Sequence, residues 1–366
     1  MKNQTFLPIY QPSLSGNEKL YVNQCLDTNW ISSKGEFINR FETSFAQYIN
    51  TPYATSVSNG TVALHFALLA IGISPGDEII VPSLTYVASV NTIIQAGAIP
   101  VFVDSLAGTW QIDPTDVQRK ITSKTRAIMA VHLYGHPCDM SSLVNICKEH
   151  QLLLIEDCAE ALGSFFHDQH VGTFGDVATF SFFGNKTITT GEGGMVVAKD
   201  PNVYERATTL KSQGVSKNIM YWHDVIAYNY RMTNICAAIG LAQLERVNDI
   251  LAKKRAIAAW YKDNLSDLPL VTHEETAHTR HSYWMCSILL NEAKHRDPLR
   301  QYLDTVQIET RPLFYPAHLM PMYGKTHEKH PIAESLGSRG INLPSWPELT
   351  IEQLTRITHH IKEYFA

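Results

Sequence analysis

Between about Thr51 and Asp200, short and almost wholly apolar runs alternate with stretches of helical character, and no other feature restricts the fold as strongly. A strand covered by helices on both faces has no solvent side, so it reads as a continuous apolar run instead of a polar–apolar alternation. The expected strands are Glu78 to Pro82, Pro100 to Asp104, Arg126 to Leu133, Leu152 to Asp157, Val177 to Phe182 and Gly194 to Ala198. Helices are expected after Gly60, Thr85, Pro114 and Asp139. Strands joined by crossover helices form a mostly parallel central sheet, which is the α/β class. After Arg231 the pattern becomes one long helical stretch to about Asn264, which carries the chain out of the sheet. The expected division is a large domain over 1–240 and a smaller C-terminal domain over 241–366, with no Gly/Ser linker between them.

Composition narrows the function classes. Apolar residues make up 45% of the 366 residues and charged residues 18%, a balance that excludes disorder and leaves surface to be covered by a partner subunit. Thirty basic and thirty-five acidic residues, with no run of five like charges, offer neither a nucleic-acid stripe nor a polybasic membrane patch. The six cysteines form no CxxC pair, so reduced thiols and a cytoplasmic setting are expected. No apolar signal run precedes Pro8. The best membrane candidate, Ala54 to Ile73, is interrupted by Ser56, Ser58, Asn59, Gly60 and His65 and reads as a buried helix.

Four positions suggest chemistry. The strand Leu152 to Asp157 ends in an acidic pair, and the carboxyl ends of parallel strands are where open α/β sheets place ligands. Asp157 there either holds a heteroaromatic nitrogen protonated or caps a following helix, Cys158 to Leu162. Lys186 stands between an aromatic strand end, Phe180-Ser-Phe-Phe183, and a Gly-rich turn, Gly191-Glu-Gly-Gly194. Partial burial of that kind lowers a lysine's pKa toward the neutral nucleophile. The spacing fits neither a P-loop nor a dinucleotide fingerprint. Gly60 and Thr61 open a helix, where backbone amides can cup a phosphate or simply form a capping turn. Tyr86 follows the strand ending at Pro82 and can offer a flat ring face. An amine, a carboxylate, a phosphate cup and a stacking ring together are the parts of a pyridoxal phosphate site. The sixteen histidines do not suggest a metal: His132 and His136 are separated by helix-breaking Gly135, His273, His278 and His281 fall in a polar loop, and His359-His360 reads as a solvated helix face.

Those residues lie in segments that strongly resemble the DegT/DnrJ/EryC1/StrS family of sugar aminotransferases. The resemblance runs nearly end to end, through Tyr10-Gln-Pro-Ser-Leu14, Trp30-Ile-Ser-Ser-Lys-Gly35, Ser58 to Leu64, His132 to Asp139, Glu156-Asp-Cys-Ala-Glu160, Phe180 to Met195, Tyr228 to Asn234 and Glu309 to Pro316. It implies a type I pyridoxal phosphate-dependent aminotransferase fold, a homodimer with shared active sites, L-glutamate as amino donor, and a nucleotide-linked 4-keto-6-deoxy sugar, of the GDP type, as acceptor. A different keto sugar is the alternative. A role in surface polysaccharide biosynthesis is also implied. By the same resemblance Lys186 bonds to the cofactor, Asp157 pairs with its ring nitrogen, Tyr86 stacks on the ring, and Gly60, Thr61 and Ser181 hold the phosphate. Asn229 matches a residue that reaches the phosphate from the neighbouring subunit. Trp30, Ser32, Lys34, Arg311, Tyr315 and His318 are implied to line the sugar-nucleotide site. Glu160 stands where many members have glutamine, near the ring's phenolic oxygen. Members that act as dehydratases carry histidine at the position of Lys186, so the lysine favours transamination.

Overall fold

The structure, a computed structural model, describes residues 5–323 and 328–366. Its central sheet has seven strands in the spatial order Tyr53–Val57, Gly194–Ala198, Val177–Ser181, Leu153–Asp157, Thr125–Val131, Glu78–Pro82 and Ile99–Val103. Neighbours from Val177–Ser181 to Ile99–Val103 pair in parallel. Only Gly194–Ala198 runs against the rest, pairing antiparallel with both neighbours. All six expected strands are present, two with the expected ends and four with ends shifted by a residue or two. Tyr53–Val57 is a seventh, so the apolar run read as one helix is a strand followed by the helix Gly60–Ala70. The break falls at Ser58-Asn59, where the Asn59 side chain accepts the Val62 amide at 2.9 Å and starts the helix.

The sheet is covered on both faces, as its apolar strands require. Ile79 and Val81 pack with the helices Gly60–Ala70 and Val87–Gln95, whereas Ile80, between them, joins Ile128, Leu154 and the helix Met140–His150. Phe41 and Phe45 of the helix Glu36–Ile49 meet Phe180 and Phe182 edge to face. The long helical stretch after Arg231 is two helices, Asn234–Leu244 and Val247–Leu265, broken at Glu245-Arg246. The second helix lies with Ile351–Phe365 on a four-stranded antiparallel sheet ordered Leu270–Thr272, Cys286–Leu290, Gly340–Leu343 and Arg311–Pro312. Leu7 bridges to Ile308 and joins this second core. Among the described residues, no helix is long and apolar enough to cross a membrane.

Two of the histidines assigned to a polar loop, His273 and His281, are buried, while His278 is exposed. They stack against residues of the first layer: His273 lies 3.9 Å from the Trp110 ring and His136 approaches both. The Tyr283 amide donates to His281 Nδ1 at 2.9 Å, so His281 Nε2 carries the proton that faces His273 Nδ1 at 3.3 Å, and His273 Nε2 donates to the Thr109 carbonyl at 2.8 Å. Local polarity hid this, because the rings are covered only when the two layers meet. Burial, with the neighbouring imidazole next, lowers His273 to about 3, and burial lowers His136 to about 4. Unfolded imidazoles protonate near about 6.5, so below that pH the unfolded chain binds more protons than the folded one. Stability is therefore expected to fall as pH drops from about 6.5, by up to about 1.4 kcal/mol per pH unit for each histidine, and not to respond to them above about 7. Urea unfolding at pH 7 and pH 5 checks this: His273→Gln should shrink the drop in midpoint, and an undiminished drop would remove the cluster from the acid response.

Candidate active site

Because Tyr53–Val57, Glu78–Pro82, Leu153–Asp157 and Val177–Ser181 all point the same way, the residues following them collect at one edge of the sheet. A cavity of about 600 Å³ opens there, lined by Gly60, Thr61, Tyr86, Asp157, Glu160, Ser181 and Lys186 from this edge and by Trp284, Arg311 and Asn342 from the second sheet and its approach. Residues 182–193 return the chain from Val177–Ser181 to its antiparallel neighbour without a helix, and this return loop carries Lys186.

The Lys186 side chain is 14% exposed. Its Nζ lies 4.0 Å from the centre of the Trp284 ring and 3.6 Å from Glu160 Oε1. The loop is pinned by Tyr10, whose hydroxyl donates to the Lys186 carbonyl at 2.6 Å, and by Trp284 Nε1, which donates to the Asn185 carbonyl at 2.7 Å. Burial lowers the Lys186 pKa, and the charges of Glu160 and Asp157 oppose that shift. Asp157 does not cap a helix, because Cys158 to Leu162 form turns. Its Oδ1 accepts the Ala159 amide at 3.1 Å and its Oδ2 accepts the Ser89 hydroxyl at 2.7 Å, leaving the carboxylate held at the cavity wall.

At the opposite end the helix Gly60–Ala70 points its first turn into the cavity. Asn59 satisfies the Val62 amide, so the amides of Gly60 and Thr61 remain among the donors a helix start leaves unpaired. Ser181 completes a cradle: a Cβ at Gly60 would lie 2.6 Å from the Ser181 Cβ. This spacing leaves room for an anion only while position 60 lacks a side chain. Tyr86 is 55% exposed and presents its ring to the same cavity.

The remaining expected residues are placed differently. Of the expected sugar-nucleotide residues only Arg311 lines the cavity, held loosely by Glu309 Oε1 at 3.3 Å. Trp30, Ser32 and Lys34 are exposed and do not line this chain's own cavity, nor does Tyr315, whose ring faces Arg296. His318 is buried between the Ser83 hydroxyl at 2.5 Å and Glu334 at 3.3 Å. Asn229 is exposed, outside the cavity, with its carboxamide oxygen held by the Arg231 guanidinium at 2.7 and 3.0 Å. Tyr10, Ser89 and Trp284 were not anticipated, since nothing in their local sequence marks them as neighbours of Lys186 or Asp157.

His132, Glu156 and Cys158 are the one cluster with metal-like spacing among the described residues. Glu156 already accepts the amides of Gly172, Phe174 and Gly175 at 2.7 to 2.8 Å and faces His132 Nε2 at 3.1 Å, while His132 Nδ1 accepts the Cys138 amide at 3.0 Å. These lone pairs are engaged in a hydrogen-bond knot that ties the strand ends together.

A parallel-sheet fold with a largely covered lysine, a fixed carboxylate, an amide cradle and an exposed ring at one edge defines a type I pyridoxal phosphate-dependent enzyme. The chain belongs to the DegT/DnrJ/EryC1/StrS aminotransferase family, which its residues 12–362 match. It is similar to a protein of Escherichia coli O157:H7 named GDP-perosamine synthase, 59% identical over 99% of both chains, and to one of that name from Vibrio cholerae, 55% identical over 98% of this chain and 99% of the other. Spr1654 of Streptococcus pneumoniae, solved in its PLP-form, superposes with a TM-score of 0.93 at 27% identity over 98% of each chain. The protein is an aminotransferase and its cofactor is pyridoxal phosphate.

Proposed function

We propose that this aminotransferase moves the amino group of L-glutamate to C4 of GDP-4-keto-6-deoxy-D-mannose, giving GDP-perosamine and 2-oxoglutarate for a surface polysaccharide such as the lipopolysaccharide O-antigen. The observation that carries the reading is the complete lysine–carboxylate–cradle constellation in a chain 59% identical, end to end, to a protein named GDP-perosamine synthase. In this reading the amides of Gly60 and Thr61 and the Ser181 hydroxyl hold the cofactor phosphate, Tyr86 covers the ring, and Asp157 keeps the ring nitrogen protonated. When bound, pyridoxal phosphate supplies an electron sink conjugated to the substrate carbon that loses and regains a proton. Lys186 holds the cofactor between turnovers and, once displaced by substrate, its amine moves that proton. Glu160 lies beside the amine. Taking residue 240 as the boundary, the small domain contributes Trp284, Arg311 and Asn342 to the same cavity.

The substrate is tested by supplying purified protein with L-glutamate and the GDP-, dTDP- or UDP-linked 4-keto-6-deoxy sugar, and measuring the amino sugar by mass spectrometry. Product from the GDP-linked sugar is expected, and product from another nucleotide alone would sink the assignment.

The homodimer rests on an apolar arm. Residues 212–229 leave the helix Pro201–Lys211 and return through bridges at Ser212–Asn229 and Val215–His223. Met220 is 86% exposed, Tyr221 91% and Ile226 97%, alongside exposed Ile219, Trp222 and Val225. A patch of this kind needs a partner, and a second copy would bring Asn229, at the base of the arm, to the other chain's phosphate cradle. Ile226→Glu is expected to shift sedimentation toward monomer. Asn229→Ala should keep the dimer but weaken cofactor retention in equilibrium dialysis, and unchanged retention would discredit the contact across subunits. The six free cysteines, five of them buried, support a reducing, cytoplasmic location.

A further inference from the structure

Glu160 is placed more specifically than a pocket-lining residue needs to be. Its side chain is 6% exposed, and its Oε2 accepts the Tyr134 amide at 2.7 Å. Tyr134 presents that amide from a left-handed backbone conformation, with φ 57°, which few residues other than glycine adopt without cost. One oxygen is thereby fixed and the other, Oε1, is directed at Lys186 Nζ, 3.6 Å away. The charged and titratable groups around the pair are Asp157 and the Tyr134 phenol, with the Trp284 ring on the amine. Both Asp157 oxygens are already occupied, Oδ1 by the Ala159 amide and Oδ2 by the Ser89 hydroxyl.

We propose that Glu160 is a catalytic residue that carries the proton of Lys186: Oε1 takes it from the ammonium before the amine attacks, and returns it when the amine must again become an ammonium. This rests on Lys186 being the reacting amine. In the exchange the Nζ–H bond breaks, an Oε1–H bond forms, and the electron pair stays on nitrogen. An ammonium and a carboxylate become an amine and a carboxylic acid, with no change in total charge and no other reactant. Burial favours this, since it removes two charges from a site with little water. The shifts agree in direction: burial pushes Glu160 up to about 7 against the pull of Lys186 and the Tyr134 amide, and burial also lowers Lys186. At 3.6 Å the pair stands about 0.4 Å beyond the ~3.2 Å limit of an N–H···O hydrogen bond, a gap that rotation of the flexible lysine stem can close.

The test uses the full-length protein stripped of cofactor, so that no substrate or cofactor chemistry enters. Carbamylation of Lys186 by cyanate is followed against pH by peptide mass spectrometry in wild type, Glu160→Gln and Glu160→Asp. Glutamine keeps the shape and can still accept the Tyr134 amide. Removing the carboxylate should move the midpoint of Lys186 reactivity down by about one pH unit or more, with Glu160→Asp in between. An infrared carboxylic C=O band, present in wild type, fading as pH rises through about 7 and absent in Glu160→Gln, would report the proton on Glu160 directly. In the holoenzyme, Glu160→Gln should lower kcat for the glutamate half-reaction about 100-fold with KM little changed. An unmoved midpoint, or no titrating band, overturns the proposal. Either result leaves the assignment of Lys186 standing, since that fails only if the enzyme turns over without its lysine.

Discussion

Lys186→Ala is expected to abolish transamination while leaving a folded protein. The amine serves twice, as the group that holds the cofactor and as the one that moves the proton, and general acid–base catalysis alone contributes about 10²- to 10⁴-fold. A loss of at least about 10³-fold in kcat is therefore expected. The fold should tolerate the change, because the side chain's contacts are the Trp284 face and Glu160. The first is worth about 0.5–2 kcal/mol, and Glu160 can answer the loss of its partner by taking a proton. The absorption spectrum separates the outcomes. Wild type should show the band of lysine-bound cofactor and convert it to the pyridoxamine band on addition of L-glutamate, and the variant should do neither. Substantial turnover by a folded variant would remove Lys186 from the centre of the mechanism.

Asp157→Ala should lower activity and stability together. A carboxylate within about 4–6 Å of a titrating nitrogen raises its pKa by about 1–3 units, so its removal lowers the protonated fraction of the ring by roughly 10- to 1,000-fold at a pH above that pKa. The ring is then a poor electron sink, and kcat should fall by at least about tenfold. The fold also reacts, because the hydroxyl of Ser89 and the amide of Ala159 lose their acceptor. A buried donor left unpaired costs about 1–3 kcal/mol, which should lower the melting temperature measurably. Asp157→Asn separates the two effects: the amide oxygen can still accept one of the hydrogen bonds, so stability should recover more than activity. Equal recovery of both would mean that Asp157 is structural.

Much of the central layer was legible in the chain. Doubly covered strands are apolar along their length, and all six expected strands were found within a residue or two. The strand that was missed, Tyr53–Val57, runs into a helix just as apolar, and composition alone does not mark where the period changes. The site residues at strand ends were legible for the same reason: parallel strands bring their carboxyl ends to one edge, so Gly60, Tyr86, Asp157 and Lys186 could be grouped without coordinates.

What the sequence determined by itself was thus the set of parts and the edge of the sheet at which they meet, because both follow from local periodicity and strand direction. Only the tertiary structure decided what surrounds them. Trp284 comes to Lys186 across almost a hundred residues, Tyr10 from the other end of the chain, and His273 and His281 leave a polar-looking segment for the interior where two layers meet. These contacts depend on how separately folded layers pack, and no local pattern records that. The ionisation of Lys186 and Glu160 belongs to the same category, since it is set by burial and by distances between side chains that adjacency in sequence does not specify.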